Sequence, residues 1–138
     1  MRVLPGAREL LAGLTEVGVS WAIATSGSRS GAAPALALLG VPADVPVVTR
    51  DDVRWAKPNP DLFLTAAERL GVQVADSVVV GDSVWDLLAA RRAKALGVGL
   101  LSGGYGREEL ERAGAYRVYD DPADLFRHLD EVGVRSPR

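Results

Sequence analysis

Val78-Val79-Val80-Gly81-Asp82-Ser83-Val84-Trp85-Asp86 is the stretch on which the fold turns. Three consecutive valines are apolar toward both sides, the pattern of a strand buried in the middle of a parallel sheet rather than at a one-sided edge. A helix is expected from about residue 84 to 95, with Leu87 and Leu88 on its apolar side and Gly97 past its end. Asp82 leaves the strand at its carboxyl edge and Asp86 follows one helical turn later, so both carboxylates can face one crevice. Hard oxygen donors of this kind suit a magnesium ion that keeps several waters, because the chain offers no cysteine and one histidine only. A plainer reading stays open: Asp82 or Ser83 caps the helix and Asp86 favours its positive end.

Upstream, two periodicities alternate. Leu10, Leu11, Leu14 and Val17 recur at helical spacing between Pro5 and Gly18, which predicts a first helix over about residues 6–17. Residues 19–24 (VSWAIA) are rich in strand formers and run into Thr25-Ser26-Gly27-Ser28-Arg29, a polar cluster that reads as a loop. A short helix over 32–39 and a second strand over 45–48 come next. Asn59-Pro60 reads as a capped helix start, with Phe63, Ala66, Ala67 and Leu70 on one face and Gly71 at the end. Downstream, residues 98–101 and 116–119 are strand-like and 107–113 helical. Asp121-Pro122 opens a last helix carrying Leu125, Leu129 and Val132 on one face, and the tail over 134–138 reads as loose. Alternating helices and strands with short connections predict an α/β fold: an open, mainly parallel sheet with helices on both faces. Ligands of such sheets sit beyond the carboxyl ends of the strands.

Two further polar clusters fall there. Thr25 and Ser26, followed by Gly27, can turn a hydroxyl and successive backbone amides toward an anion, though the same residues also make an ordinary turn or cap. Lys57 sits in Trp55-Ala56-Lys57-Pro58-Asn59-Pro60, where Pro58 biases it to an extended backbone and stiffens its stalk. A solvated surface lysine is the alternative. Taken together, a hydroxyl, a lysine and an acid pair at the strand ends of one sheet favour phosphate chemistry.

Composition narrows the field. The chain has 138 residues, 48% hydrophobic and 25% charged, enough for one domain over 1–138 with a real core. Sixteen basic against eighteen acidic residues leave a formal charge of -2, which argues against nucleic-acid or membrane-surface binding. Without cysteine there is neither a disulfide framework nor a thiolate metal site. Met1-Arg2-Val3-Leu4-Pro5-Gly6 has no apolar run behind its basic residue, and no segment approaches the ~20 apolar residues of a membrane helix. A cytoplasmic location is the default expectation. A dinucleotide-binding domain is disfavoured because no Gly-x-Gly-x-x-Gly follows the first strand, and Gly103-Gly104-Tyr105-Gly106, after a late strand, reads as shaping a helix entry. A phosphoacceptor receiver domain is disfavoured because its acids precede its hydroxyl and lysine. His128, alone on the final helix, reads as a surface histidine. Trp55 reads as bracing the lysine loop, and Trp85 as either lining the pocket entrance or packing on a helix.

The order and separation of these clusters resemble the haloacid dehalogenase superfamily in its phosphatase branch, the phosphoglycolate phosphatase and beta-phosphoglucomutase-like members. Ala22-Ile23-Ala24-Thr25-Ser26-Gly27 is similar to its second motif, Lys57-Pro58-Asn59-Pro60 to its third, and residues 78–86 to its fourth. The resemblance implies that Thr25 hydrogen-bonds phosphoryl oxygens with help from the amides of Ser26 and Gly27. It further implies that Lys57 neutralises charge on nucleophile and phosphate, that Asp82 binds magnesium, and that Asp86 supports the metal or its waters and orients Lys57. The acid pair speaks against the dehalogenating members, which work without a metal. The family's first motif, Asp-x-Asp-Gly-Thr, which supplies the nucleophile and the general acid and base, does not occur in these residues.

The resemblance therefore implies a Rossmann-like core lacking its first, central strand, which would lie between the strand ending at Thr25 and the one ending at Gly81. Either those two strands pair directly or another chain fills the slot, by homodimerisation or strand exchange. The implied function is a magnesium-dependent phosphatase of a small phosphorylated metabolite, nearly inactive as these residues alone. The alternative is a non-catalytic phosphate- and metal-binding or assembly module of the same fold.

Overall fold

The computed structural model describes residues 4–134; the tail expectation therefore falls, for 135–138, outside the described residues. Helix α1 spans Ala7–Glu16, strand β1 Ile23–Ala24, α2 Arg29–Leu39, β2 Val47–Val48, and α3 Asp61–Leu70. Strand β3 follows at Val78–Gly81, α4 at Val84–Ala93, β4 at Leu96–Leu100, α5 at Arg107–Arg112, β5 at Ala115–Tyr119 and α6 at Pro122–Arg127. All strand pairings are parallel, as the alternation requires.

The strands form two sheets rather than one, β1-β2 and β3-β4-β5. Three expectations are corrected by this arrangement. First, β1 and β3 do not pair directly. Second, residues 19–24 give only a two-residue strand, because β2 alone pairs with it and Trp21 turns back to donate its Nε1 proton to Thr15 Oγ1, 2.9 Å away. Third, β3 is an edge strand with β4 as its one described neighbour, and Val78 and Val80 are 38% and 44% exposed. Only Val79 is buried, against Phe63, Ala89, Ala90 and Ala93 of α3 and α4. The last helix also breaks early: His128 leaves helical geometry (φ -130°, ψ 28°), and Leu129–Val132 continue as a 3-10 turn.

Helices cover both faces of the larger sheet. Leu10 of α1 and Leu125 of α6 bury Val98, Leu100 and Tyr119 from one side, while Leu87 and Leu110 meet Val118 on the other. Helix α3 fastens the two sheets to each other, because Leu62 and Ala66 pack on Val48 of β2 while Phe63 packs on Val79 of β3.

The outer edge of β2 is closed by side chains. The Val47 carbonyl accepts from Arg29 Nη2 at 3.2 Å and from Arg69 Nη1 at 3.3 Å, and both guanidiniums also reach Asp52. Asp52 accepts in addition from the amide and hydroxyl of fully buried Thr49. The Thr49 amide foremost, then its hydroxyl and the two arginines, hold the Asp52 carboxyl below the ordinary carboxylate range, against the opposing effect of burial. A depressed acid contributes stability above its unfolded pKa, about 4, and that contribution is lost as pH falls through the folded value. Asp52→Asn is therefore expected to lower stability at neutral pH and to flatten the acid limb of a urea-midpoint profile. An unchanged acid limb would contradict this account.

Candidate functional site

The carboxyl ends of β1 and β3 face each other across one lysine. Ile23 and Thr25 donate their amides to Pro46 and Val48 of the β2 side, at 3.0 and 2.9 Å, so by strand alternation Ala24 turns its backbone the other way. There its carbonyl accepts from Lys57 Nζ at 3.2 Å. The same ammonium lies 2.7 Å from Asp86 Oδ1 on α4, with side-chain exposures of 15% for the lysine and 12% for the aspartate. Phe63 places its ring 5.3 Å from the nitrogen. The surface-lysine reading is thus set aside: Lys57 is a largely buried cation shared between β1 and α4.

Its loop is braced as the prolines suggest, but by other contacts than expected. Asn59 does not cap α3, whose N-cap is Pro60 with no side-chain bond. Instead the Asn59 backbone N–H and Nδ2 both donate to the Ala56 carbonyl, at 3.0 and 3.2 Å, and close the loop on itself. Arg92 of α4 donates to the Pro58 carbonyl at 3.1 Å. Helix α4 therefore grips the lysine loop twice, through Asp86 and through Arg92. Trp55, 55% exposed, stacks on Arg54.

The plain readings hold in part, since Ser83 caps α4 and Thr25 closes a short turn. Ser28, and neither Thr25 nor Ser26, caps α2 by accepting from the Gly31 amide. Ser83, not Asp82, caps α4 by accepting from the Asp86 amide at 3.2 Å. Thr25 Oγ1 accepts from the Gly27 amide at 3.1 Å. That engages Gly27 and leaves the Thr25 hydroxyl proton available as a donor. Ser26 Oγ is buried without a hydrogen-bond partner, the one such side-chain atom among the described residues. A buried hydroxyl in that state calls for a polar partner.

Asp86 spends both oxygens inside the protein, Oδ1 on Lys57 and Oδ2 as acceptor for the Asp82 amide at 3.2 Å. Asp82 is half-buried, and its carboxylate closes no ion pair among the described residues. No group of three or more His, Cys, Asp or Glu side chains converges among the described residues. Oxygen donors from at most the two aspartates fit a small hard cation that keeps most of its waters and shares a phosphate, which is how magnesium is commonly bound. A cleft of about 460 Å³ beside Arg29 and Arg69 includes none of Thr25, Lys57, Asp82 and Asp86, and its guanidiniums are engaged on Val47 and Asp52.

Sequence reasoning passed over Arg92 and read Gly103 only as shaping a helix entry. The first carries no motif signal. The second is visible only once β4 lies beside β3, where an added Cβ on Gly103 would stand 2.8 Å from Asp82 Cβ and Cγ. Trp85 is 51% exposed beside the acids, and His128 packs on Tyr119 at 5.9 Å as a peripheral residue.

Residues 1–94 match the family model described as haloacid dehalogenase-like hydrolase. The chain is 40% identical over 90 residues to hexitol phosphatase A of Escherichia coli, covering 65% of this chain and 42% of that protein. It is 34% identical over 136 residues to phosphoglycolate phosphatase of Rhodospirillum rubrum, covering 98% and 55%. Among solved structures, a hydrolase from Pseudomonas syringae superposes with a TM-score of 0.91 at 55% identity, covering 94% of this chain and 62% of that one. A HAD family hydrolase from Deinococcus radiodurans R1, solved with bound phosphate and sodium, gives 0.82 at 34% identity, covering 97% and 62%. The chain spans about half the length of the curated relatives it matches.

Proposed function

The chain belongs to the haloacid dehalogenase-like hydrolases, and from that premise we propose that it forms the core of a magnesium-dependent phosphatase acting on a small phosphorylated metabolite. One observation carries the reading: a largely buried ammonium is held by Asp86 and the Ala24 carbonyl where the ends of β1 and β3 meet. A charge withdrawn from water and fixed at strand ends is set for an anion. The named phosphatases among the relatives, and the phosphate bound in the Deinococcus structure, support the same choice of anion.

In this reading Thr25 donates its hydroxyl proton to a phosphoryl oxygen and the Ser26 hydroxyl finds there the partner it lacks. Lys57 offsets the negative charge gathering on the phosphoryl group, and Asp86 keeps it aimed. Asp82 would hold magnesium, with Asp86 in support through the backbone of Asp82 rather than as a free ligand. When bound, that cation polarises the phosphoryl oxygen and neutralises developing charge. Ala24 and, by alternation with Val79, Val78 and Val80 carry the backbone groups of β1 and β3 that face away from their described partners. A further extended segment, from a longer polypeptide or a second copy, would join the two sheets there. Among the described residues no helix is long and apolar enough to cross a membrane.

The test is equilibrium binding of tungstate in the presence of magnesium. Saturable binding is expected, lost in Asp82→Ala and in Lys57→Ala while circular dichroism stays native. Tungstate binding that survives both substitutions would overturn the proposal.

A further inference from the structure

We infer that Gly103, in the turn after β4, is a positioning residue that seats the Asp82 carboxylate, so that divalent-metal affinity depends on a segment beyond the family match over residues 1–94. The inference rests on Asp82 as the metal ligand of the proposed phosphatase and adds what aims it.

Asp82 is confined from two directions. Its amide is held by Asp86 Oδ2 at 3.2 Å on the α4 side. On the other side Gly103 leaves no room for a side chain: a Cβ built there would lie 2.8 Å from Asp82 Cβ and Cγ and closer still to the Asp82 carbonyl oxygen. Real Cβ atoms do not approach so near, so only a residue without a side chain fits. Backbone conformation is not the reason for glycine here, since Gly103 is absent from the positive-φ glycines whereas its neighbour Gly104 has φ 90°. The close approach alone requires it.

The turn cannot simply retreat. It forms one 3-10 turn, Leu101–Gly103, closed by the Gly104 amide donating to the Leu101 carbonyl at 3.2 Å. It grows out of β4, whose Leu100 is buried against Leu10 and Leu125 on one face, and Leu101 packs on the opposite cluster of Leu87 and Leu110. The acid pair thus follows one plan, because Asp86 is likewise seated on a glycine: a Cβ on Gly81 would meet Asp86 Oδ2 at 2.5 Å. Gly81 belongs to the motif that carries the acids. Gly103 comes from 21 residues past Asp82 in number and reaches it only through the β3-β4 pairing. A carboxylate fixed in direction before the cation arrives loses less freedom on binding, which is how residues behind a ligand raise metal affinity.

Amide NMR spectra during magnesium addition test this in the 138-residue chain. In the wild type the amides of Asp82 and Gly103 are expected to shift with one common midpoint. Gly103→Ala is expected to weaken that midpoint about 10-fold to 100-fold with the rest of the spectrum native. Gly106→Ala, whose added methyl would meet only Glu109 Oε1 at 3.4 Å, is expected to leave it unchanged. A folded Gly103→Ala protein with wild-type magnesium affinity would overturn the inference. Should Gly103→Ala fail to fold, the wild-type spectra decide: a Gly103 amide that stays still while Asp82 shifts overturns it, and joint movement supports it. A wild-type Asp82 that does not respond to magnesium at all would instead bring down the metal reading itself, and this inference with it.

Discussion

Residues 1–138 by themselves are expected to hydrolyse p-nitrophenyl phosphate near the uncatalysed rate, and the same residues preceded by an apolar strand ending in Asp-x-Asp-Gly-Thr are expected to do so on the order of 10³-fold faster or more. The physical ground is the state of the two acids at the strand ends. Asp86 has one oxygen on Lys57 and the other on the Asp82 amide, so attack on phosphorus would require breaking a largely buried ion pair. In the proposed function Asp82 serves the cation. What remains, a hydroxyl and an ammonium, positions and polarises a phosphoryl group without capturing it. Steady-state rates of the two polypeptides, with and without magnesium, check this. Robust turnover by the shorter one would mean that one of these acids serves as the nucleophile after all. Tungstate binding by the longer one without any gain in rate would favour the alternative of a binding or assembly module.

The second large effect concerns stability. Lys57→Ala removes the cation from an Asp86 side chain that is 12% exposed in the intact protein, and an uncompensated buried charge costs about 3 kcal/mol or more. Removing both charges is expected to cost less than removing the lysine alone, so Lys57→Ala combined with Asp86→Ala should recover part of the loss. Urea unfolding of the single and double variants measures this directly. Additive losses would show that the pair, despite its 2.7 Å separation, is not the element joining the ends of β1 and β3.

How much of this could be read from the residues depends on whether the signal is local. Most helices and the parallel sense of the strands follow from spacing and caps near at hand: Gly40 and Gly71 end α2 and α3 with left-handed φ, and Asp121 caps α6 by accepting from the Asp124 amide. The meeting of Lys57 with Asp86 was also legible, because a stiff lysine loop and an acid pair both fall at strand ends. Edge status was not legible in the residues of β3 themselves, although the family resemblance, with its missing strand between β1 and β3, implied it. Three valines in a row state that a strand suits burial, but whether both of its edges are paired is decided by partners far along the chain, and Val78 and Val80 are exposed here. The role of Asn59 was misassigned for a related reason. An asparagine before a proline can cap or can close the preceding loop, and the competing acceptor, the Ala56 carbonyl, becomes apparent only when the loop is folded. Gly103 lay beyond reach because its partner is brought to it by sheet pairing alone.

Among the strand edges of the two sheets, those of β2 and β3 are finished unequally. Beside β2, a pair of guanidiniums occupies the Val47 carbonyl and refuses any incoming strand, whereas β3 presents bare valines and backbone groups with no lysine, proline or bulge to deter one. Of these two edges only that of β3 invites a further strand, and it is there rather than at β2 that insoluble stacking of identical copies would start.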